Sequence, residues 1–498
     1  MIKEGTLNPA YFKNPPLYTY AILLTLYGMF SVRYLMGYSG SRAHFIATLP
    51  PDLPFVIARG LSALAGTATC LVLFVIGKKF GGDLAGLLAA LFYSVAFFSV
   101  KDGHFGTNDV PMVCLVTLAF FFAVRLFEGG TTPDLIVGGL TAGLAAATKY
   151  NGGIALVPLL LACVLGQRRQ GGASNTGRMR EVAIKWLALL LLALAGFLLG
   201  NPYAVLDNDA FVSAMTSRFE LLERIWPGQS EAPVLLLALQ TLVVELGWPL
   251  LLLVPCAASV CLTRGGALAK ATGLALSLVL PLILYHLSKA FFMARFLLPC
   301  TPFLALICAW GIVAVREVNW VSWARHRVVF GAAMALLVAS PLARSLYLDL
   351  LLQRPDTRLL ANEYLEGVAR PGSVIVRETE SLYAPPLHPR RYRVLFLKHA
   401  PSLLYPAGGA ADFYVFNSFD VGQVPGVSEA EERLLMDALE HSGFARMTFS
   451  PLRDGGGLWV EREMNFRSYR HLFRYERPGP AIVIYARPGI PVAEPSSG

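Results

Sequence analysis

Long apolar stretches recur along the chain from residue 17 to residue 348, and short polar loops separate them. A helix needs about 20 apolar residues to cross the roughly 30 Å apolar layer of a bilayer, and most of these stretches approach that length. The sequence therefore predicts a polytopic α-helical membrane protein with about ten or eleven crossings. The stretches are Leu17–Tyr38, Phe55–Ile76, Leu84–Val100, Val110–Phe127, Leu135–Ala147, Ile154–Leu165, Val182–Leu199, Val234–Leu262, Thr272–Leu287, Phe296–Val315 and Val328–Leu348.

Composition agrees with a membrane protein and argues against other classes. Only 15% of the 498 residues are charged, whereas soluble proteins carry about a quarter. The net charge of +9 is spread over short loops, so we expect no nucleic-acid partner. The seven cysteines lie in or beside apolar stretches and outside the polar C-terminal third, which predicts neither a disulfide framework nor a cysteine metal site.

Basic residues collect in alternate loops, and this asymmetry predicts the orientation. Loops rich in Lys and Arg face the cytoplasm; here they include Lys78 with Lys79, Arg168 to Arg180, Arg264 with Lys270, and Arg316 to Arg327. The other loops then face outward: Ser99–Asn108, Lys149–Gly153, Asn201–Ser230 and Ser288–Arg295. We therefore expect a multi-pass protein of the plasma (inner) membrane. Leu17–Tyr38 either crosses once or lies in the interface; both readings fit the sequence.

The chain changes character near Gln353, after the last apolar stretch. Asp356 can cap a helix, and Ser428 to Glu431 form a capping box. Short β-rich runs occur at Ser373–Arg377, Tyr392–Leu397, Asp412–Asn417 and Ala481–Tyr485. We predict an extracytoplasmic α/β domain at residues 351–498, after a juxtamembrane segment at 1–54 and a transmembrane domain at 55–350.

A polar island, Ser99–Pro111, interrupts two apolar stretches and holds Lys101, Asp102, His104 and Asp109. Asp109 is a candidate N-cap for the following helix. It is equally a candidate carboxylate that activates an acceptor or holds a divalent metal, with His104 as a companion.

Three cations in or beside apolar stretches form a second group of candidates. Lys149 follows Leu135–Thr148, Arg59 lies inside Phe55–Ile76, and Arg295 precedes Phe296–Val315. Each is either an interfacial anchor or a ligand for an anionic headgroup. All three on one face would suit a phosphate or diphosphate, with Gly152 and Gly153 allowing close backbone approach. Glu245, beside Gly247-Trp248-Pro249, is left without a role.

These stretches together resemble the GT-C glycosyltransferases, in particular bacterial relatives of the protein O-mannosyltransferases and the lipid A aminoarabinose transferases. The matching pieces are Gly5-Thr-Leu-Asn-Pro9, Tyr11-Phe-Lys-Asn-Pro-Pro-Leu-Tyr18, Arg59-Gly-Leu-Ser-Ala-Leu-Ala-Gly-Thr67, His104 to Pro111, Gly143-Leu-Ala-Ala-Ala-Thr-Lys-Tyr-Asn-Gly152 and Arg295-Phe-Leu-Leu-Pro-Cys-Thr-Pro302. The closing domain, from Asp356 to Arg487, also looks like the family's outer α/β domain.

The resemblance implies a GT-C helical bundle that transfers a sugar from a polyprenyl-phosphate donor to a protein, lipid or glycan acceptor on the outer membrane face. It implies that Asp109 is the second acidic residue of the outer cavity and our candidate catalytic residue. It also implies that Lys149 and Arg295 contact the donor phosphate. We add Arg59, His104 and Tyr150 to the substrate-binding set. The family places the stretch matching Tyr11–Gly37 in the first outer loop, which favours the interfacial reading of Leu17–Tyr38.

Two departures from the family pattern set further expectations. The family's catalytic acidic residue lies shortly before the stretch matching Gly5-Thr-Leu-Asn-Pro9, and Met1 falls just after that point. We expect that helix and its Asp to be missing here, which points to a misassigned start or an inactive homologue that binds envelope glycans. Lys13-Asn14 stand where the aminoarabinose transferases carry Glu-Lys, so a divalent cation is expected only at Asp109. A flippase of lipid-linked sugars is the remaining alternative.

Overall fold

The structure is a computed structural model that describes residues 5–38, 40–50, 52–167, 175–223, 233–316, 327–388, 390–397, 411–422, 427–455, 458, 469 and 471–490. The chain divides into two compact units. The first comprises Met1–Arg224 and Pro233–Ser345, and the second comprises Ile225–Ala232 and Leu346–Gly498.

Helices build the first unit. They are α1 (Leu17–Leu35), α2 (Arg42–Ala47), α3 (Leu53–Ser94), α4 (Phe97–Phe105), α5 (Asp109–Phe127), α6 (Thr132–Thr148), α7 (Leu156–Gln167), α8 (Asn175–Gly200), α9 (Tyr203–Leu206), α10 (Asn208–Leu222), α11 (Val234–Leu246), α12 (Trp248–Thr263), α13 (Gly266–Leu287), α14 (Thr301–Arg316) and α15 (Arg327–Leu352), which continues into the second unit. Two 3-10 helices, Tyr150–Ala155 and Ala294–Cys300, precede α7 and α14.

The apolar helices make this a multi-pass membrane protein. Within the described residues, six helices are long and apolar enough to cross a bilayer: Leu53–Ser94, Asp109–Phe127, Thr176–Gly200, Gly266–Leu287, Ala294–Arg316 and Arg327–Val368. The pair α11 and α12 adds a seventh if it forms one broken span. Helix α1 has 19 residues but is not among the spans, which agrees with the interfacial reading of Leu17–Tyr38.

Glycines at two breaks shape the spans. Gly81 and Gly82 leave the helical region inside α3, and Gly82 has φ +69°, so α3 contains two predicted apolar stretches separated by a kink. Gly247, with φ +77°, separates α11 from α12, and the two helices meet at 102°. The break predicted at Gly247-Trp248-Pro249 is therefore confirmed.

Small residues bring α6 close to α8. A Cβ atom built on Gly143 would lie 2.0 Å from the carbonyl oxygen of Ala193. One built on Gly196 would lie 2.4 Å from the carbonyl oxygen of Leu140. Such close approach of backbones is typical of membrane helix pairs. The close approach holds α6 against α8, and Lys149 directly follows the last residue of α6.

The second unit contains the predicted α/β domain. Its elements are α16 (Thr357–Val368), β1 (Val374–Arg377), β2 (Arg393–Phe396), β3 (Phe413–Asn417), α17 (Glu429–His441), β4 (Ala445–Phe449) and β5 (Ile482–Ala486). The strand order is β2-β1-β3-β5-β4. Strands β2, β1 and β3 run parallel, whereas β5 is antiparallel to β3 and β4.

The two helices of this unit cover opposite faces of its sheet. Leu435 and Leu439 of α17 pack with Tyr414 and Val483. Ala361 and Leu365 of α16 pack with the alternate strand residues, among them Ile375, Phe413 and Ile484. The side-chain carboxylate of Asp356 caps α16, and Ser428 with Glu431 forms the predicted capping box of α17.

Candidate functional site

A buried ion pair joins two of the predicted site residues. The ammonium of Lys149 contacts the carboxylate of Asp109, and the side chains are 4% and 1% exposed. Asp109 is the first residue of α5, and Asn108 takes the N-cap position. Neither the anchor reading of Lys149 nor the N-cap reading of Asp109 therefore holds, because both charges are buried and each has the other as its partner.

Local contacts hold this pair in place. The side-chain amide of Asn108 donates a hydrogen bond of 2.8 Å to the carbonyl of Thr148, the last residue of α6. The backbone N–H of Gly152 donates to the carbonyl of Lys149 at 2.8 Å. A Cβ atom at Gly152 would lie 2.5 Å from the carbonyl oxygen of Ala145. The glycine therefore allows close approach to α6, and not to a headgroup as the sequence suggested.

A second carboxylate lies in the short helix α4. Asp102 is 1% exposed, and the ammonium of Lys101 lies 3.0 Å from its carboxylate. Burial raises the pKa of Asp102, and Lys101 opposes this shift. The Oδ2 atoms of Asp102 and Asp109 are buried, and each carboxylate thus keeps one buried oxygen without a hydrogen-bond partner among the described residues.

Glu245 ties α4 to two other elements. Its carboxylate accepts hydrogen bonds from the backbone N–H of Phe98 at 2.5 Å and the hydroxyl of Ser99 at 3.1 Å. It also accepts from the hydroxyl of Thr301 at 2.8 Å. These contacts give Glu245 a structural role that the sequence left unassigned. A carboxylate inside an apolar stretch was the signal, since such groups are retained only where polar partners compensate them.

Three arginines make no direct ion pair with a carboxylate in the described part of the chain, although Arg295 is near enough to Asp102 to favour its charged form. Arg295 is half-buried and donates to the sulfur of Met293 at 3.3 Å. Arg59 is exposed. Arg218 of α10, which sequence reasoning missed, donates to the carbonyl of Lys13. Burial lowers the pKa of Arg218, so a bound anion would be favoured there.

Tyr150 connects Arg218 to the N-terminal segment. The guanidinium of Arg218 lies 5.3 Å from the centroid of the Tyr150 ring. The Tyr150 hydroxyl donates a hydrogen bond of 2.7 Å to the carbonyl of Phe12. Tyr150, predicted as a substrate contact, therefore positions both a cation and the backbone that precedes Lys13.

His104 and His286 differ in burial, and only His104 was among the predicted site residues. His104 is exposed in the last turn of α4. His286, which was not singled out, is 4% exposed. Its ring stacks on Phe296 at a centroid distance of 4.8 Å, and the same Phe296 ring lies 5.7 Å from the ammonium of Lys149. Both ring nitrogens of His286 lack a hydrogen-bond partner in the residues that the structure describes.

The residues around Asp109 do not form a metal-ligand set. Its carboxylate contacts Lys149, and the described residues contain no group of three His, Cys, Asp or Glu side chains that could hold an ion. The divalent cation stays a prediction from the sequence, and no step is derived through it.

Comparison with known proteins identifies the fold. Residues 54–200 match the family model of dolichyl-phosphate-mannose-protein mannosyltransferases. The crystal structure of ArnT from Cupriavidus metallidurans in the apo state is similar over 95% of this chain and 88% of that one, with a TM-score of 0.50 and 14% identity. ArnT bound to undecaprenyl phosphate is similar over 96% and 89%, with a TM-score of 0.51 and 13% identity.

The chain has a GT-C fold. The predicted GT-C bundle with a C-terminal α/β domain is thereby confirmed, whereas the described residues hold six spans, or seven with the bent pair, in place of the ten or eleven crossings predicted. Curated proteins yield no match to the sequence. The fold and the family model together support glycosyltransferase activity in general.

Proposed function

We propose that this GT-C protein moves a sugar from a polyprenyl-phosphate donor to an acceptor on the outer face of the plasma membrane. The observation that carries the proposal is the pair of buried carboxylates, Asp102 and Asp109, with Arg295 near enough to Asp102 to favour its charged form. The similarity to ArnT, which was crystallised with undecaprenyl phosphate, supports a lipid-phosphate donor.

The donor phosphate would bind to arginines. A guanidinium can give a phosphate two parallel hydrogen bonds. The positive charge of Arg295 is near enough to repel that of Arg218. An anion between the two guanidinium groups would relieve this repulsion. Lys149, expected to bind phosphate, already contacts Asp109, so its first role is to compensate that carboxylate. Arg59 would contribute from its exposed position.

Asp109 would act as the general base. It takes the proton of the acceptor hydroxyl while the acceptor oxygen forms a bond to the anomeric carbon. The bond from that carbon to the phosphate oxygen breaks on the opposite side, and polyprenyl phosphate leaves with the electron pair. The configuration inverts. Cations that face the leaving phosphate lower the barrier, because negative charge grows there in the transition state.

Donor turnover by the purified protein in detergent tests the proposal. The substrate is a labelled polyprenyl-phosphate sugar, offered with protein, lipid and glycan acceptors, with and without a divalent cation. We expect release of polyprenyl phosphate from the wild type. The double variant Asp109→Asn with Lys149→Met, which leaves no member of the buried pair alone, should retain donor binding and lose turnover, and Arg218→Ala should weaken donor binding.

Arg180→Ala provides the matched control, because Arg180 is an exposed arginine near the start of α8, in a stretch predicted to face the cytoplasm. It should behave as the wild type. Movement of labelled donor across vesicles without turnover would favour the flippase instead. Absence of lipid-phosphate binding would contradict the proposal altogether.

A further inference from the structure

A pocket in the first unit lies beside Asp109 and has no assigned ligand. It has a volume of about 350 Å³, and its lining residues are Pro9, Tyr11, Asn14, Pro15, Pro16, Tyr18, Thr19 and Asn108. That volume is at the lower end of the range of small-molecule sites, about 300–1,000 Å³. The pocket can therefore hold one small ring and not a long chain.

The position of this pocket relates it to the reacting groups. Asn108 lines the pocket and directly precedes Asp109, so the Cα atoms of these two residues are about 3.8 Å apart. Another part of the wall is anchored through Lys13, whose carbonyl accepts from Arg218. The pocket thus touches the chain next to a carboxylate and next to a cation. A glycosyl phosphate needs its sugar between these two charges.

The lining suits a sugar that carries hydroxyl groups. The side-chain amide of Asn14 has no hydrogen-bond partner among the described residues, and Asn108 uses only its amide N–H on Thr148. Amides both donate to and accept from hydroxyls. Tyr11 is 55% exposed and offers a ring face, whereas the Tyr18 hydroxyl is already bonded to Ala58 and Ser62.

Charge is missing from this lining. In the described part of the chain, the pocket walls contain prolines, tyrosines, asparagines and a threonine, and no carboxylate. A protonated amine on the ligand would find no counter-ion there, and Arg218 nearby would repel it. Prolines at positions 9, 15 and 16 keep the wall in one conformation, which lowers the cost of ordering it around a ligand.

We infer that this pocket holds the glycosyl group of the donor and selects a neutral sugar over an amino sugar. The inference rests on the proposed function and adds the substrate class to it. It places selectivity in Asn14 and Asn108 and not in the arginines that face the phosphate.

Binding measurements with three lipids test the inference. The probes are undecaprenyl phosphate, undecaprenyl phosphate bearing a neutral hexose, and the same lipid bearing the corresponding amino sugar. The quantity of interest is the ratio of the two sugar-lipid dissociation constants, because any effect on the shared phosphate cancels in it. The wild type should favour the neutral sugar.

Asn14→Asp should shift that ratio about fivefold towards the amino sugar, the effect of a partly exposed ion pair of about 1 kcal/mol. Asn14→Leu should weaken both sugar lipids and leave undecaprenyl phosphate binding unchanged. Ser31→Asp adds the same charge on the exposed side of α1 and should leave the ratio as in the wild type.

Preference of the wild type for the amino sugar, or an unchanged ratio in Asn14→Asp, would overturn the inference. If undecaprenyl phosphate binds and a sugar lipid is turned over while the ratio is unchanged, only the inference is wrong. If none of the three lipids binds, the proposed function is wrong as well.

Discussion

Replacing Lys149 with Met leaves the carboxylate of Asp109 buried without its counter-ion. The side chains of this pair are 4% and 1% exposed, so water cannot take the place of the lost ammonium. The methionine fills a similar volume, and the change therefore removes charge with little loss of packing. We expect a protein that inserts in the membrane but is markedly less stable than the wild type.

The expected cost follows from the burial of both groups. Removing one partner of a buried ion pair costs about 3–5 kcal/mol, because the other charge is left uncompensated. This corresponds to a fall of about two to nearly four orders of magnitude in the ratio of folded to unfolded protein. The double variant Lys149→Met with Asp109→Asn removes both charges. It should regain most of the loss, since neutral replacement of a buried pair is often tolerated.

Thermal and denaturant unfolding in detergent measures this cycle, with Arg180→Ala as the control for loss of a surface cation. Donor turnover is measured on the same samples. We expect the double variant to be stable and inactive, which separates the structural role of the pair from its chemical role. The reasoning is refuted if Lys149→Met is as stable as the wild type, or if the double variant is no more stable than the single one.

Three further predictions concern interactions that stabilise the two units. Gly143→Ala should destabilise the first unit by about 1–3 kcal/mol, because the added carbon would lie 2.0 Å from the Ala193 carbonyl oxygen. In the control Gly273→Ala, the added carbon meets nothing within 4 Å and the change should be neutral or stabilising. The midpoints of thermal unfolding of the two variants are compared. Glu245→Ala leaves three buried donors without an acceptor and should lower both thermal stability and turnover. Glu245→Gln, which keeps one oxygen, should recover part of each; equal loss in both variants would contradict the structural role of these hydrogen bonds. The backbone N–H and then the hydroxyl of Ser428 donate to Glu431 and hold its pKa below the usual value. Its stabilisation of α17 is therefore present above the unfolded pKa of about 4.3 and is lost as the pH falls through the lower folded value. Hydrogen exchange of the α17 amides between pH 6 and pH 3 measures this; Ser428→Ala, which keeps the backbone donor, should reduce the dependence, and Glu431→Gln should remove it.

Much of the secondary structure depends on local signals that the sequence carries. Strands β1, β2, β3 and β5 lie within the predicted β-rich runs, and Asp356 and Ser428 begin helices as their capping patterns indicate. Strand β4, Ala445–Phe449, was missed. Its short run alternates apolar with polar residues between the turn residues Ser442-Gly443 and Ser450-Pro451, a local signal that sequence reasoning overlooked, and the strand pairs with β5.

In the candidate site, likewise, the sequence identifies single residues but not the contacts between them. Asp109, Lys149, Arg59 and Arg295 are visible in the sequence because charge is rare in apolar stretches. Their partners are not visible. The structure joins Lys149 to Asp109 across 40 residues, a contact that the sequence did not indicate, and the phosphate contact of Lys149 stays a prediction.

Arg218 and His286 show what tertiary structure alone decides. Arg218 lies in a polar helix, where an arginine is ordinary, and its importance comes from contact with Lys13, 205 positions away in the chain. In the sequence, His286 is only a polar residue near the end of an apolar stretch. The structure shows that its ring stacks on Phe296. Apolar periodicity and capping act over a few residues, so the sequence alone determines the helices and most strands. Which charged groups meet depends on how the helices pack, including the close approach of α6 and α8 at Gly143, and only the folded chain contains that information.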